Sequence, residues 1–185
     1  MRDASAFFGQ IPVIDTPRLR LRAHMPGDYA ACTAMWADPA VVRHIGGKPL
    51  SAEDAWARML RYAGHWALQG FGFWAIEEKS TSRFVGEVGF AYFKREICPP
   101  NDGVPEMGWA LASDVHGRGF GREAAEAAVA WGDIHFRGSD TCCLIDPGNE
   151  PSIRVATRVG FAPSHRAAYK GQVTMVFTRP GPGAT

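Results

Sequence analysis

The sequence lacks the features that most directly indicate a membrane or nucleic-acid protein. No run approaches the roughly 20 apolar residues that span a bilayer, and no apolar signal-peptide segment precedes a cleavage site. The 20 lysines and arginines are nearly balanced by 19 acidic residues, so the net charge of +1 gives no general attraction to polyanions. These absences predict a cytoplasmic protein with neither a membrane nor a nucleic-acid partner.

Metal-site and disulfide patterns are missing as well. The six histidines show neither an H-E-x-x-H pattern nor another clustered ligand spacing. The four cysteines are scattered, apart from the adjacent Cys142 and Cys143, which suit neither C-x-x-C chemistry nor an easy disulfide. We therefore predict no metal site, and we expect the cysteines to be free thiols.

Length and element order predict one α/β domain, since 185 residues with 46% apolar content can bury a substantial core. The domain is predicted to span residues 1–185, with an N-terminal arm over 1–15 and a frayed tail over 179–185. Strands are predicted at 18–22, 73–79, 84–93, from 106, at 141–145 and within 169–178, with a loop at 94–105. Helices are predicted at about 28–36, after Ser51 to Gln69, at about 122–133 and at 152–159. Hairpins followed by a β-α-β unit predict a mixed, mostly antiparallel sheet flanked by helices.

The stretch from Glu106 to Glu123 has the pattern of an anion site. It begins as an apolar strand, breaks into Gly117, Gly119 and Gly121, and continues as an Ala-rich helix. Glycines let the backbone approach a ligand closely, and the first turn of a helix has unpaired N–H groups at the positive end of its dipole. Two arginines, at 118 and 122, add charge at the same place. The stretch therefore predicts a ligand that carries phosphates.

Two nucleotide sites compete for this stretch. A nucleoside-triphosphate P-loop requires Gly-Lys followed by Ser or Thr, but Gly121 is followed by Arg-Glu, which excludes it. A dinucleotide site fits better, because Gly119-Phe-Gly121-Arg-Glu-Ala124 satisfies G-x-G-x-x-A, and Asp146 follows the next strand. Too few residues follow Asp146, however, for the remaining parallel strands of such a fold.

A third interpretation comes from a family resemblance. His116-Gly-Arg-Gly119-Phe-Gly121 resembles motif A of the GNAT N-acetyltransferases, although His116 replaces the usual Gln or Arg. Asn149, Ser152 and Gly160-Phe161 have the spacing of the second half of that family's signature. The segments at 16–22 and 106–111 are similar to the RimJ/RimL branch of ribosomal-protein N-acetyltransferases. The resemblance covers roughly residues 15–178 and implies a GNAT fold with a splayed central strand pair.

The resemblance implies acetyl-CoA as co-substrate and an edge of the central strand that pairs with its pantetheine arm. An N–H near Leu111 would polarise the thioester carbonyl. The implied contacts are Ala110, Leu111, Ala112, Ser113, His116, Gly117, Arg118, Gly119, Phe120, Gly121, Arg122, Glu123, Asn149 and Ser152.

The family also implies an amine acceptor, either a protein or peptide N-terminus or a small amine, and a monomer or homodimer. Glu106 is the first candidate for the base and Glu87 the second; the alternative for each is a carboxylate that only pairs strands. The tyrosine that protonates the thiolate in many members is replaced by Ala156, which leaves Ser152 as the nearest polar group. The missing tyrosine keeps a second hypothesis open, a non-catalytic acyl-CoA-binding module.

Overall fold

The computed structural model describes residues 11–99 and 103–183, and nine strands in these ranges form one sheet. The strands are β1 (Ile14–Asp15), β2 (Leu19–Arg22), β3 (Phe73–Glu78), β4 (Arg83–Ala91), β5 (Ile97–Cys98), β6 (Glu106–Leu111), β7 (Thr141–Ile145), β8 (Ala162–Tyr169) and β9 (Gln172–Arg179). Their order across the sheet is β1-β2-β3-β4-β6-β7-β9-β8-β5.

Five helices flank the described sheet: α1 (Tyr29–Ala37), α2 (Pro39–Val42), α3 (Ala52–Gln69), α4 (Phe120–His135) and α5 (Glu150–Arg158). The ends of α3 follow from its sequence. Ser51 caps the first turn by accepting a hydrogen bond from the N–H of Asp54 at 3.1 Å, and Gly70 ends the helix with a φ of +73°. The predicted bounds of this helix, after Ser51 to Gln69, are thus confirmed.

The centre of the sheet is splayed. β6 and β7 are the parallel pair among the described strands, and every other pairing there is antiparallel. A single register pair, Glu106 with Cys142, joins β6 to β7, whereas β6 pairs with β4 along its whole length. One backbone edge of β6 therefore lies free beyond its first residue, and a cleft opens between the two strands.

The largest apolar core lies between the sheet and α4. Trp66, Trp74 and Trp131 pack edge to face there, with ring centroids 4.9–5.8 Å apart. On α3 the buried side chains Ala55, Met59, Tyr62 and Trp66 recur at helical spacing and turn one face toward the sheet. This packing fixes the neighbouring Arg58 against the edge of the central cleft.

The fold prediction is confirmed: the chain is a single α/β domain with a mixed, mostly antiparallel sheet flanked by helices. Three boundaries were wrong. Ile14–Asp15, in the predicted arm, pairs with β2, and Ile97–Cys98, in the predicted loop, pairs with β8. The final hairpin begins at Ala162, earlier than residue 169.

Short strands of this kind are stabilised by a distant partner, so a local pattern underestimates them. Residues 1–10 of the predicted arm and 184–185 of the predicted tail lie outside the described ranges. No helix in the described ranges combines the length and the apolar character needed to cross a bilayer.

Candidate active site

Two adjoining cavities occupy the cleft between β6 and β7. The larger, of about 670 Å³, lies over the glycine turn and the start of α5. The smaller, of about 120 Å³, lies among β4, β6, β7 and α3. Six residues line both cavities and mark their junction: His44, Ile45, Trp109, Ala110, Asn149 and Ser152. The cleft can therefore hold two molecules that meet at this junction.

The glycine turn presents free main-chain donors to the larger cavity. Gly117 and Gly119 have φ values of +76° and +80°, a backbone that other residues rarely adopt. The N–H groups of His116 and Arg118 are used within the turn, at 3.1 and 3.4 Å. Five further N–H groups have no acceptor in residues 11–99 and 103–183, and all five residues line the cavity: Gly117, Gly119, Phe120, Gly121 and Arg122. The geometry is that of an anion-binding helix start.

The lining of the larger cavity is also positively charged. It contains Arg43, Arg122, Arg154 and Arg158, and none of its described lining residues is acidic. Arg122 pairs with Glu126 at 2.7 Å and Arg154 with Glu150 at 3.4 Å, but both pairs are solvent-exposed and therefore weak. The cavity thus attracts anions in addition to offering main-chain donors.

Two predicted side chains support the turn from outside the cleft. Arg118 pairs with Glu78 and lies 4.3 Å from the centre of the Phe120 ring. Glu123 accepts hydrogen bonds from Thr16 and from Arg18, all at 2.6–2.8 Å. Burial raises the pKa of Glu123, but these hydrogen bonds outweigh it and leave the pKa below its usual range. Neither Arg118 nor Glu123 lines the cavity. Arg118 instead ties the turn to the end of β3, and Glu123 ties it to the segment just before β2.

Some of the predicted contacts on the central strand line the cleft, and others are bonded elsewhere in the fold. Ala110 and Leu111 line the cleft. The N–H of Ala112 is bound to the carbonyl of Val85 at 3.0 Å, and the Ser113 hydroxyl donates to Asp38. His116 lines the cavity, with its Nε2 3.0 Å from the Leu111 carbonyl oxygen.

Asn149 and Ser152 lie at the junction, at the start of α5. Asn149 Oδ1 accepts the N–H of Ser152 at 3.2 Å and caps the helix, which leaves the Asn149 amide nitrogen as its available donor. The Ser152 hydroxyl has no hydrogen-bond partner in the part of the chain that the structure describes. Ala156, at the family's tyrosine position, is 0% exposed and belongs to the main core, so the missing tyrosine leaves no gap in the cleft.

The first candidate base, Glu106, lines the smaller cavity but is already paired. Its two oxygens accept hydrogen bonds from Nε and Nη2 of Arg95, each at 2.7 Å, and its side chain is 8% exposed. Arg95 also donates to the hydroxyl of Tyr169 at 2.9 Å. A bidentate pair of this kind is strong and geometrically specific, so proton uptake by Glu106 would have to disrupt it.

The second candidate, Glu87, is more completely enclosed. It accepts hydrogen bonds from Tyr62 Oη at 2.5 Å and Arg58 Nε at 3.2 Å, and His24 Nε2 lies 3.5 Å away. Burial raises the pKa of Glu87, but the imidazole of His24 and the guanidinium of Arg58 outweigh it and lower the net pKa. A carboxylate held ionised by its partners is a weak proton acceptor.

Several lining residues were not predicted from the sequence. The smaller cavity includes Arg58, whose guanidinium lies 3.7 Å from the centre of the Trp36 ring, together with Arg95 and Phe93. His44 and Asp146 are also present, and their Nδ1 and Oδ2 atoms are 3.6 Å apart. These residues come from five separate segments and follow no local motif, so only the folded chain brings them together.

The fold and the cleft define a GNAT-type acyltransferase domain, and comparison with known proteins agrees. The family model described as an acetyltransferase (GNAT) domain matches residues 18–162. The chain is 32% identical over 151 residues to the uncharacterised protein YkkB of Bacillus subtilis strain 168, covering 78% of this chain and 82% of YkkB. The chain therefore belongs to the GNAT acetyltransferase family.

Solved structures share the fold. A Bordetella pertussis protein assigned to the GNAT-family acetyltransferases is 30% identical, with a TM-score of 0.79, covering 91% of this chain and 99% of that protein. RimL, a ribosomal L7/L12 α-N-protein acetyltransferase in complex with coenzyme A, has a TM-score of 0.74 at 15% identity. That match covers 92% of this chain and 98% of RimL, and at this identity it shows the fold alone.

Proposed function

We propose that this protein is an acetyl-CoA-dependent N-acetyltransferase of the RimJ/RimL-like branch that acts on a primary amine in a ternary complex. The observation that carries the proposal is the pair of adjoining cavities: one suits a phosphate-bearing donor, and the other a small polar acceptor. Direct transfer requires both substrates to meet at one point, and the shared lining at Ala110, Asn149 and Ser152 provides it.

Coenzyme A is proposed to occupy the larger cavity. Its diphosphate would accept hydrogen bonds from the free amides of Gly117 and of residues 119–122, and the arginines of the lining would neutralise the remaining phosphate charge. The pantetheine arm would then follow the free edge of β6 past Leu111 and Ala110, with the Asn149 amide as a further donor. This course brings the thioester to the junction of the two cavities.

The acceptor amine is proposed to enter through the smaller cavity. A volume of about 120 Å³ admits a small amine or only the end of a longer chain. An α-amine, with a pKa of about 7.7–8.0, is neutral in roughly a tenth of molecules at pH 7, whereas a lysine amine near 10.4 is neutral in only a few per ten thousand. A protein or peptide N-terminus or a small amine of low pKa therefore needs a weaker base than a lysine side chain does.

The two predicted carboxylates are proposed to act at most indirectly in proton transfer. Glu106 and Glu87 would reach the amine only through an ordered water, because their oxygens already accept hydrogen bonds from Arg95, Arg58 and Tyr62. The Ser152 hydroxyl, free at the junction, is proposed to donate a hydrogen bond to the departing thiolate.

Release of free coenzyme A thiol from acetyl-CoA over a panel of peptide N-termini and small amines tests the proposed function. Turnover with at least one amine, together with an acetylated product identified by mass spectrometry, is the expected result. Tight binding of coenzyme A without turnover on any acceptor would instead favour the non-catalytic acyl-CoA-binding module, the alternative suggested by Ala156.

A further inference from the structure

A histidine and an aspartate meet at the junction of the two cavities. His44 lies in the turn after α2 and lines both cavities, and its side chain is 29% exposed. Asp146 follows β7 directly and lines the smaller cavity. The pair thus adjoins Asn149 and Ser152, beside the place where the thioester and the amine must meet.

The aspartate is held in place by the backbone. Asp146 Oδ1 accepts the N–H of Gly148 at 2.6 Å, which turns Oδ2 toward Nδ1 of His44, 3.6 Å away. Gly148 permits this approach, since an added Cβ would lie 3.2 Å from Asp146 Oδ1 and 3.6 Å from His44 Cε1. The 3.6 Å separation is longer than a hydrogen bond, but catalytic contacts in a ligand-free site often shorten when substrate binds.

The other end of the imidazole is unoccupied. His44 Nε2 has no hydrogen-bond partner among the described residues. A carboxylate beside Nδ1 favours the tautomer that carries its proton there, and Nε2 is then the basic nitrogen. Glu106 and Glu87, in contrast, have their oxygens engaged by buried cations and a hydroxyl.

We propose that His44 accepts the proton of the acceptor amine at Nε2 and that Asp146 positions its ring; this rests on the proposed N-acetyltransferase function. The ammonium group first transfers a proton to His44. The neutral nitrogen then attacks the thioester carbonyl carbon, forming the C–N bond and a tetrahedral intermediate. Collapse breaks the C–S bond, and the thiolate leaves with the electron pair and takes the proton from His44. The second nitrogen proton passes to solvent, so the net products are the acetamide, coenzyme A thiol and one proton.

The charges around His44 are mixed. The smaller cavity brings two cations and two anions besides Asp146, namely Arg58, Arg95, Glu87 and Glu106. The larger cavity brings His116 and the arginines at positions 43, 122, 154 and 158. Bound coenzyme A would offset the second group with its phosphates, and the Asp146 carboxylate is the charged group that the structure pairs with the imidazole, at 3.6 Å.

The test compares wild type with His44→Gln and Asp146→Asn across pH 5.5–9, using the best amine found in the panel. We expect His44→Gln to lower kcat about 10²–10³-fold, to change the coenzyme A Kd by less than about threefold, and to replace the acidic limb of the pH profile of kcat/KM by the titration of the amine itself, near pH 7.7–8.0 for an α-amine. Asp146→Asn should lower kcat less and displace that limb. Added imidazole should restore part of the activity of His44→Ala.

His135→Gln is the matched control, because His135 is exposed on α4 and lines neither cavity. It should retain the wild-type profile. Turnover by His44→Gln with an unchanged acidic limb, or no imidazole rescue of a folded His44→Ala that binds coenzyme A, would overturn the role of His44 and leave the proposed function intact. Failure of the wild type to acetylate any amine would overturn both.

Discussion

The two halves of the cleft are built by different means. The larger cavity obtains its donors from the backbone of one continuous segment, residues 117–122, and from arginines around it. The smaller cavity obtains its polar groups from side chains on separate elements, such as Arg58 on α3 and Glu87 on β4, that neutralise one another. The larger cavity therefore depends on local backbone geometry, whereas the smaller cavity depends on contacts between side chains that are distant in sequence.

The largest expected effect concerns the smaller cavity, whose polar groups come from side chains. Arg95→Leu leaves the buried Glu106 carboxylate without its two hydrogen bonds, and we expect it to reduce the free energy of unfolding by about 3–5 kcal/mol. Urea unfolding measures the loss. The double variant Arg95→Leu with Glu106→Leu should recover most of it, because both charges are removed. If Arg95→Leu alone is as stable as wild type, the fold around the smaller cavity does not depend on the Arg95–Glu106 pair.

The second largest effect is expected from a substitution that blocks the larger cavity. An added Cβ at Gly121 would lie 3.4 Å from Leu111 Cδ1 and 4.0 Å from Val155 Cγ2, both in the larger cavity. Gly121→Val should therefore fill the passage for the pantetheine arm and raise the coenzyme A Kd at least tenfold in calorimetric titration.

Gly64→Val is the control for Gly121→Val, since Gly64 is also helical and has nothing within 4 Å of an added Cβ. It should bind coenzyme A as wild type does. Equal affinities for both variants would contradict the position proposed for the ligand.

Acid should lower the stability of the folded protein through Glu87, which lines the smaller cavity. Its folded-state pKa is lowered, since burial is outweighed by His24 and Arg58, so its ionised form favours folding above the unfolded pKa of about 4.5. That contribution is lost as pH falls from about 4.5 through the folded value. Wild type should lose more stability over this interval than Glu87→Gln in chemical denaturation. Equal losses in wild type and Glu87→Gln would show that the ionised form of Glu87 does not stabilise the fold.

The smallest expected effect is at the junction of the halves. Ser152→Ala removes a free hydroxyl without disturbing the main-chain hydrogen bond that caps α5. If this hydroxyl assists the thiolate, kcat should fall about three- to tenfold, as for one hydrogen bond of about 1 kcal/mol, while the coenzyme A Kd stays constant. An unchanged kcat would show that the Ser152 hydroxyl does not assist the departing thiolate.

The same contrast explains what could be predicted from the sequence. The glycine turn, the strand before it and Asn149 are local patterns whose spacing determines their geometry. The fold was therefore predicted, and ten of the predicted contact residues line the larger cavity, while their contact with coenzyme A stays a prediction. The side chains of Arg118 and Glu123, by contrast, pair outside the cavity, with Glu78 at the end of β3 and with Arg18 just before β2.

The acceptor half could not be predicted in this way. Its geometry depends on which side chains of α3, β4 and the turn after α2 meet across the sheet, and no spacing in the sequence records those contacts. Glu106 was identified by position, but its partner Arg95 comes from the predicted loop at 94–105. His44 and Asp146 lie about a hundred residues apart in sequence and 3.6 Å apart at their nearest nitrogen and oxygen.

Free main-chain amides of the glycine turn are proposed to bind the diphosphate of coenzyme A. Amide proton and nitrogen chemical shifts, followed by NMR during a titration with coenzyme A, test it most directly. The largest shifts should belong to Gly117, Gly119, Phe120, Gly121 and Arg122, and these shifts should saturate together with a single Kd. Saturable binding that leaves these five amides unmoved would contradict it.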